Sequence, residues 1–341
     1  MNAILCLLAL SVVPADPARD LQHDFDFQLG HWKVKVKKLK NPLHGSKEWV
    51  EFTADSSVRP VWGGKAQLEE LVADTPSGRL EGVALRLYST EAKQWSVYWG
   101  NQAAGKMDPP SVGSLKDGLY GQDTFEGRTI WVRQQWSNTT TATPRFEQAF
   151  SADGGKTWEV NWIAEQTRVD APAASLTAPA KDANHEFDFE HGHFSMHIKR
   201  LKNPLHGSKD WYEFDVDTRT EPVLGGKANL EQMEGEMPGG KHLAGLTLRL
   251  YSQQAHQWSL YWANQNNGRL EVPTVGEFKD GRGEFYDQEP YEGRSILVRY
   301  VWSATATKSP HFEQSYSQDG GKSWEANWVT DQTRLEPHAK R

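Results

Sequence analysis

Residues Leu39–Lys47 read LKNPLHGSK, and the same nine letters return at Leu201–Lys209. The offset between the two copies is 203 − 41 = 162 residues, measured from Asn41 to Asn203. Composition alone does not produce an identity of this length twice in a chain of 341 residues. Self-similarity at a fixed offset indicates that one folding unit is written twice.

Two further blocks recur around this stretch. Upstream, HDFDFQLGHW at His23–Trp32 matches HEFDFEHGHF at His185–Phe194. Downstream, SADGGKTW at Ser151–Trp158 matches SQDGGKSW at Ser317–Trp324. Between the copies, Val169–Asn184 is rich in alanine, proline and small residues, which is typical of a flexible linker. The predicted organisation is a first repeat at 22–169, a linker at 170–184 and a second repeat at 185–335.

The repeats carry strand signals and no convincing helical period. Trp32–Lys37 (WKVKVK) alternates apolar and charged residues, which is typical of a half-buried strand. Similar runs continue through both repeats and are separated by turn sequences such as Asn41-Pro42 and Gly154-Gly155. About nine or ten short strands per repeat indicate an antiparallel barrel or sandwich. We therefore predict an all-β protein.

The N-terminus differs in composition from the repeats. Ala3–Val13 is an apolar run, and Val13 and Ala15 suit the −3 and −1 positions of a signal-peptide cleavage site. We expect a signal peptide at 1–15, cleaved near Ala15, and a secreted or periplasmic protein. The only cysteine, Cys6, lies in this leader, so disulfides, thiol catalysis and cysteine-bound zinc are excluded from the mature chain.

Several function classes lose support from charge and motif content. The net charge is −7, with 38 basic and 45 acidic residues, which argues against a nucleic-acid groove. The apolar run is too short to span a bilayer. His193 and His197 would lie about 13 Å apart along a strand, too far to share a metal ion. No phosphate loop or Ser/His/Asp order appears, so we predict no catalytic residue, metal or cofactor.

Aromatic and amide side chains fall on single strand faces in both repeats. Trp95, Trp99 and Asn101 share one face by the period of two. If these faces point into a barrel, they suit a flat or sugar-like ligand; the alternative is a filled core. The candidate lining residues, with their copies in the second repeat, are Trp95, Trp99, Asn101, Gln148, Trp158, Trp162, Trp258, Trp262, Asn264, Gln314, Trp324 and Trp328.

A polar set also recurs between the repeats. Its first-repeat members include Glu51, Arg86, Arg133 and Glu147. Alternation does not reveal which strand face is inside, so two interpretations stay open. These residues either form ion pairs on the outside of the barrel or an inward pocket with carboxylates and guanidinium groups.

Ser151–Trp158 and Ser317–Trp324 fit the Asp-box pattern of sialidases and other β-proteins. In that pattern the aspartate side chain accepts backbone N–H bonds across a turn. We therefore expect Asp153 and Asp319 to stabilise turns and not to act as catalysts.

The ends of each repeat resemble the lipocalin and calycin arrangement. Gly30-x-Trp32 near the first strand and Arg168 after the last strand match it, and Gly192-x-Phe194 with Arg334 match it more weakly. The resemblance implies a barrel in which the arginine packs over the aromatic ring and closes one end. The blocks FDFxxGxW, LRLY, FEGR and FEQAFSxDGGKTWExNW also look like a family of uncharacterised bacterial proteins with a calycin-like barrel. That resemblance implies a fold and a bacterial origin, and no activity.

The sequence thus predicts two tandem calycin-like antiparallel barrels. The leading functional hypothesis is that one or both barrels bind a small hydrophobic or aromatic ligand. The alternatives are an enzyme acting on a carbohydrate or lipid-like substrate and a structural module with solid barrels. The ligand, the oligomeric state and the activity of each repeat are not predicted.

Overall fold

The computed structural model describes residues 21–335, and these residues form two closed antiparallel β-barrels of ten strands each. The all-β, two-barrel prediction is confirmed. The predicted signal peptide at 1–15 lies outside the described residues. Within residues 21–335, no helix is long and apolar enough to cross a membrane.

Barrel 1 closes through the pairing of its fourth and fifth strands, and one two-residue strand adds to the edge of the fifth. The strands are β1 Gly30–Leu39, β2 Trp49–Val61, β3 Ala66–Thr75, β4 Gly78–Ser89, β5 Gln94–Asn101, β6 Lys106–Met107, β7 Ser111–Ser114, β8 Gly118–Phe125, β9 Arg128–Ser137, β10 Arg145–Ser151 and β11 Glu159–Val169.

A short helix, α1 (Ala174–Thr177), precedes barrel 2, whose ten strands run in ring order. They are β12 Gly192–Leu201, β13 Trp211–Val223, β14 Ala228–Met237, β15 Lys241–Ser252, β16 Gln257–Asn264, β17 Thr274–Lys279, β18 Arg282–Tyr291, β19 Arg294–Ser303, β20 His311–Ser317 and β21 Glu325–Arg334. Short 3-10 turns lie at Leu21–His23, Asp26–Gln28, Trp62–Gly64, Asp188–Glu190 and Leu224–Gly226.

The alternation of β1 produces the expected burial. Trp32, Val34 and Val36 are almost fully buried, whereas Lys33 and Lys35 are exposed. Burying each large apolar side chain stabilises the fold by roughly 1.5–3 kcal/mol. The hydrophobic period therefore fixes both the face and the register of this strand.

One end of each barrel is plugged by the chain that precedes its first strand. The turn Asp26–Gln28 seats Phe25, which is fully buried, against Trp95 with ring centroids 5.2 Å apart. The guanidinium of Arg168 stacks 4.2 Å above the Trp32 ring and donates a 2.6 Å hydrogen bond to the Leu29 carbonyl.

The same closure is present in barrel 2, where Arg334 stacks 4.4 Å above Phe194. Gly192, like Gly30, has a positive φ, and a Cβ at either position would overlap the arginine. The arginine-over-aromatic contact implied by the resemblance is therefore present at both plugged ends.

The two barrels pack against each other through the outer faces of β3–β5 and β14–β16. Leu68 and Leu85 of barrel 1 and Leu230 and Leu248 of barrel 2 are fully buried in one shared apolar cluster. Burial of this completeness resembles a domain core more than a contact between loosely linked domains. The barrels form one hydrophobic unit.

The contacts across this interface occur in symmetry-related pairs. The Tyr98 hydroxyl accepts a 3.0 Å bond from the Leu270 backbone N–H, and the Tyr261 hydroxyl accepts a 2.9 Å bond from Met107. A second pair joins the 3-10 turns to the opposite sheet, with Trp62 N–H donating to Gln232 at 3.3 Å and Leu224 N–H donating to Glu70 at 2.7 Å. The barrels are therefore related by an approximate two-fold axis, as in an isologous dimer.

The segment between the barrels differs from the expected flexible linker. Leu176 of α1 is buried in the shared apolar cluster. The Ala180 N–H donates a 2.8 Å bond to the Gly225 carbonyl, and Asp182 pairs with Lys227 at 2.9 Å. This part of the chain is fixed because its small residues fit against the interface.

Candidate functional site

The candidate site is the interior of each barrel at the end opposite the plug. The sequence left open which strand face is inside, and β5 answers the question for barrel 1. Trp95 packs under the plug residue Phe25, and Trp99 packs with the interior cluster of Trp32 and Val34, so the Trp95–Trp99 face points inward. The predicted aromatic face is therefore an interior face.

In barrel 1 the far half of the interior is lined by partly exposed aromatic rings. Trp99 lies across Gly82, where an added Cβ would come within 2.5 Å of the indole. Trp162 meets Phe52 edge to face with centroids 5.7 Å apart, and both retain some exposure. An inward side chain that still meets solvent marks an opening, so this end of the barrel is the mouth.

The mouth of barrel 2 has the same plan with different chemistry. Trp262 lies across Gly245 as Trp99 lies across Gly82. Trp328 packs edge to face against Phe214, with ring centroids 6.5 Å apart, and the Arg200 guanidinium lies 4.5 Å from the centroid of the Trp328 ring. Both mouths thus contain partly buried indoles that pack against the interior clusters.

Two of the predicted lining residues lie too deep to contact a ligand at the mouth. Trp95 is fully buried, and its indole N–H donates a 2.7 Å bond to the Leu21 carbonyl. Trp258 is equally buried and donates a 2.9 Å bond to Glu186. These residues hold the plug.

The predicted amides serve two different purposes. Gln148 donates a 3.1 Å bond to Asn161, and Gln314 donates a 2.7 Å bond to Asn327. Each glutamine lies at a β-bulge, where the pairing of β10 with β11 or of β20 with β21 shifts register. Asn101 and Asn264 accept 2.9 Å bonds from the backbone two residues later and so shape turns. The two glutamines lie nearer to the aromatic lining than Asn101 and Asn264 do.

Trp158 and Trp324 do not line the interior, contrary to the sequence prediction. Trp158 packs 6.0 Å from the exposed Tyr120 and under the Arg133 guanidinium, which lies 4.8 Å from the indole. Trp324 makes the same contacts with Tyr286 and Arg299. The period-two argument failed because each tryptophan precedes its strand and folds back over the outer surface.

The Asp boxes form the local networks that the pattern predicts. The Asp153 carboxylate accepts bonds from the Thr157 hydroxyl at 2.6 Å, the Thr157 N–H at 3.0 Å and the Lys156 N–H at 3.1 Å. The Thr157 bonds hold the pKa of Asp153 far below its ordinary value, and the matching bonds of Ser323 lower the pKa of Asp319 to about 2. Both carboxylates serve their own turns.

The polar set Glu51, Arg86, Arg133 and Glu147 does not converge on one site. Arg86 alone lies inside, where it pairs with the buried Glu69 beneath Phe25. Glu51 is exposed and pairs with Lys37 at 2.8 Å. Arg133 covers Trp158 on the outside, and Glu147 pairs with Arg145 on the same surface. The inward-pocket interpretation is therefore wrong for three of the four residues.

Sequence reasoning missed a polar group inside barrel 2. Asp287 and Glu289 alternate with exposed residues on β18 and share the inward face of the fully buried Phe285. The alternation from Phe285 was a usable signal, but the equivalent position of Asp287 in barrel 1 is Gly121, so the comparison of the repeats did not reveal it. Within the described part of the chain, no three histidine, cysteine or acidic residues are arranged to hold a metal ion.

Comparisons with known proteins give distant structural neighbours only. No protein-family profile matches the chain, and no curated protein matches it. A protein of unknown function from the DUF3598 family of Nostoc punctiforme aligns at 8% identity over 93% of this chain and 100% of its own, with a TM-score of 0.25. A Trp-176-Ala mutant of transferrin binding protein B from Haemophilus parasuis aligns at 8% identity over 90% of this chain and 76% of its own, with a TM-score of 0.21. Similarity this low carries no argument about function.

Proposed function

We propose that the protein is exported and binds a small hydrophobic or aromatic ligand in the mouth half of one or both barrels. The observation that carries this proposal is the pair of partly exposed indoles, Trp99 and Trp262, that lie inside closed barrels whose other ends are plugged. Inward rings that still contact solvent offer aromatic surface to a ligand at this end of each barrel. Barrels of this size accommodate one small molecule at an open end.

The glycines beneath the indoles support the same conclusion. Gly82 and Gly245 carry no side chain, so the benzo ring of each indole packs directly against the strand. The remaining exposed part of each indole is then available to a planar group. Each aromatic contact adds roughly 0.5–1.5 kcal/mol beyond the apolar area buried, which makes flat ligands the favoured class.

The export part of the proposal rests on the apolar run Ala3–Val13 and the small residue Ala15. An all-β chain with its single cysteine in the leader requires no oxidising compartment to fold. N-terminal sequencing of protein recovered from the periplasm or medium tests this part. We expect the mature chain to begin at Asp16.

Binding is tested with the neutral fluorescent probe N-phenyl-1-naphthylamine and matched tryptophan variants. Trp99→Ala and Trp262→Ala each remove a mouth indole, whereas Trp158→Ala and Trp324→Ala remove indoles on the outer surface. We expect the mouth variants to weaken probe binding by roughly 3- to 10-fold, given the value of an aromatic contact. Equal effects of the mouth and surface variants would contradict the site.

A further inference from the structure

The interior of barrel 2 contains a polar group that packing does not explain. On β18, Phe285 is fully buried, and Asp287, Glu289 and Tyr291 follow it at every second position. They therefore share its inward face and run from the plug toward the mouth. Asp287 pairs in register with the buried Val298 of β19, which confirms its inward direction.

Asp287 lies inside without a basic or amide partner. Both of its carboxyl oxygens are shielded from solvent, and the hydrogen-bonding group beside them within residues 21–335 is Glu289, which is itself an acid. A buried carboxylate without a donor is costly, because water is removed and nothing replaces it. Such a group calls for a partner of positive charge.

A second unpartnered group comes from the neighbouring strand. Thr274 of β17 is only 1% exposed, and its hydroxyl has no partner among the described residues. It pairs with the interior residue Leu260, and the register of β17 with β18 continues from Val275–Tyr286 to Thr274 opposite Asp287. The continued register therefore places this unpartnered hydroxyl on the same interior face as the Asp287 carboxyl group.

The electrostatics of the pocket also favour a cation. Burial, followed by the neighbouring Glu289, raises the pKa of Asp287 to about 8. Burial, followed by Glu289, also raises the pKa of Glu271. Among the described residues, Arg200, which stacks on Trp328, acts on Tyr316 and Tyr291, and Arg269 acts on Glu271. Three carboxyl groups therefore face two guanidinium groups.

Phenol rings complete the wall. Burial is the largest cause of the raised pKa of Tyr300, followed by Glu289, Asp287 and Glu271, and the pKa of Tyr316 is raised by burial and then by Glu289 and Glu271. Both rings therefore lie near the acidic group. Tyr316 lies 5.4 Å from Tyr291, ring to ring, nearer the mouth. Aromatic faces attract organic cations, and carboxylates supply the opposite charge.

Barrel 1 differs from barrel 2 at two of the equivalent positions. Gly121 pairs with Val132 as Asp287 pairs with Val298, and a Cβ on Gly121 would come within 2.5 Å of the Pro110 carbonyl. Gln134 stands where barrel 2 has Tyr300. Barrel 1 therefore keeps Asp123 at the position of Glu289, near Asp108, but has neither the Asp287 carboxyl group nor the Tyr300 ring.

We propose that barrel 2 is specific for organic amines and that the ligand's ammonium group lies between Asp287, Glu289 and Thr274, against Tyr300 and Tyr316. On binding, the ammonium replaces the proton held by Asp287, which passes to water, and its three donors then satisfy the two carboxylates and the hydroxyl. A metal ion is disfavoured because the described acidic residues do not converge as ligands. This inference rests on the proposed binding function and names the ligand class for one of the two barrels.

The test compares tryptamine with its neutral isostere tryptophol, by titration calorimetry on the full mature chain at pH 7. Tryptamine is a cation at this pH. We expect one tryptamine site per chain and a preference over tryptophol of about tenfold or more. Asp287→Asn and Glu289→Gln, both isosteric, should each reduce that preference to about threefold or less, whereas Asp123→Asn in barrel 1 should leave it unchanged.

The outcomes separate the two proposals. Equal binding of tryptamine and tryptophol would overturn the amine inference and leave ligand binding intact. Binding of neither compound, together with no uptake of N-phenyl-1-naphthylamine, would overturn both. Saturable Ca²⁺ binding that Asp287→Asn abolishes and tryptamine does not displace would also overturn the amine inference, in favour of a metal site.

Discussion

Arg59 and Glu221 occupy the same position in the two repeats, since 221 − 59 = 162, and they form a 2.6 Å ion pair with each other. In a dimer of identical units, a residue on the two-fold axis faces its own copy. Here the two copies carry opposite charges, so the repeats have diverged at this position. Two identical chains could not form this ion pair across a two-fold axis.

A charge reversal tests this relationship. Glu221→Arg places two guanidinium groups together, and we expect a loss of about 1 kcal/mol or less in the free energy of unfolding, because each side chain is about a third exposed. The double variant Arg59→Glu with Glu221→Arg should recover the loss. Asp74→Arg, beside Arg79 on an exposed hairpin, is the control and should show a smaller effect. No recovery in the double variant would contradict the pairing.

The shared apolar cluster predicts that the covalent link between the barrels is dispensable once they have folded. A protease site inserted at residues 170–173, before α1, allows the folded chain to be cut. We expect the two halves to co-elute on size exclusion, because Leu68, Leu85, Leu230 and Leu248 are fully buried between them. Separation of the halves without denaturant would show that the interface is weak.

The Asp boxes predict a pH-dependent contribution to stability. The pKa of Asp153 is lowered by its bonds to Thr157, so its stabilising effect is present above the ordinary pKa of 3.8 and is lost as pH falls through the lower folded value. Asp153→Ala should lower the melting temperature at pH 6, and the difference from the wild type should shrink below pH 4. Asp319→Ala provides the matched test in barrel 2. A difference that does not change with pH would contradict this account.

The raised pKa of Asp287 predicts a pH dependence of stability with the opposite sign to that of Asp153. The pKa of Asp287 is raised from 3.8 to about 8, so the folded state holds a proton that the unfolded state releases between these values. The wild type should therefore lose stability relative to Asp287→Asn as pH rises from 4 to 8. Thermal unfolding of both proteins across this range measures the effect. Parallel curves would show that the carboxyl group titrates normally.

The strand alternation predicted the barrels but not the roles of their faces. On β3 and β4 the apolar residues Leu68 and Leu85 point outward into the other barrel, while Glu69 and Arg86 point inward and pair with each other. A single barrel in water would have the reverse pattern. Only the presence of the second barrel explains it, and no local period carries that information.

The candidate site was predicted in part for similar reasons. The sequence predicted Trp99 and Trp162 on interior faces because their strands alternate regularly, and both residues pack against the interior cluster. Trp158 was misplaced because it belongs to a turn, where the period of two does not apply. Asp287 was missed because its counterpart in the first repeat is Gly121, so repeat comparison gave no signal.

Native mass spectrometry of the mature protein from the exported fraction, before and after denaturation, tests the central claim most directly. We predict one or two small molecules per chain that are released on denaturation, with an amine among them if barrel 2 is occupied. Protein that carries no small molecule from any source, and that also fails to take up N-phenyl-1-naphthylamine or tryptamine, would show that the barrels are solid and would contradict the account.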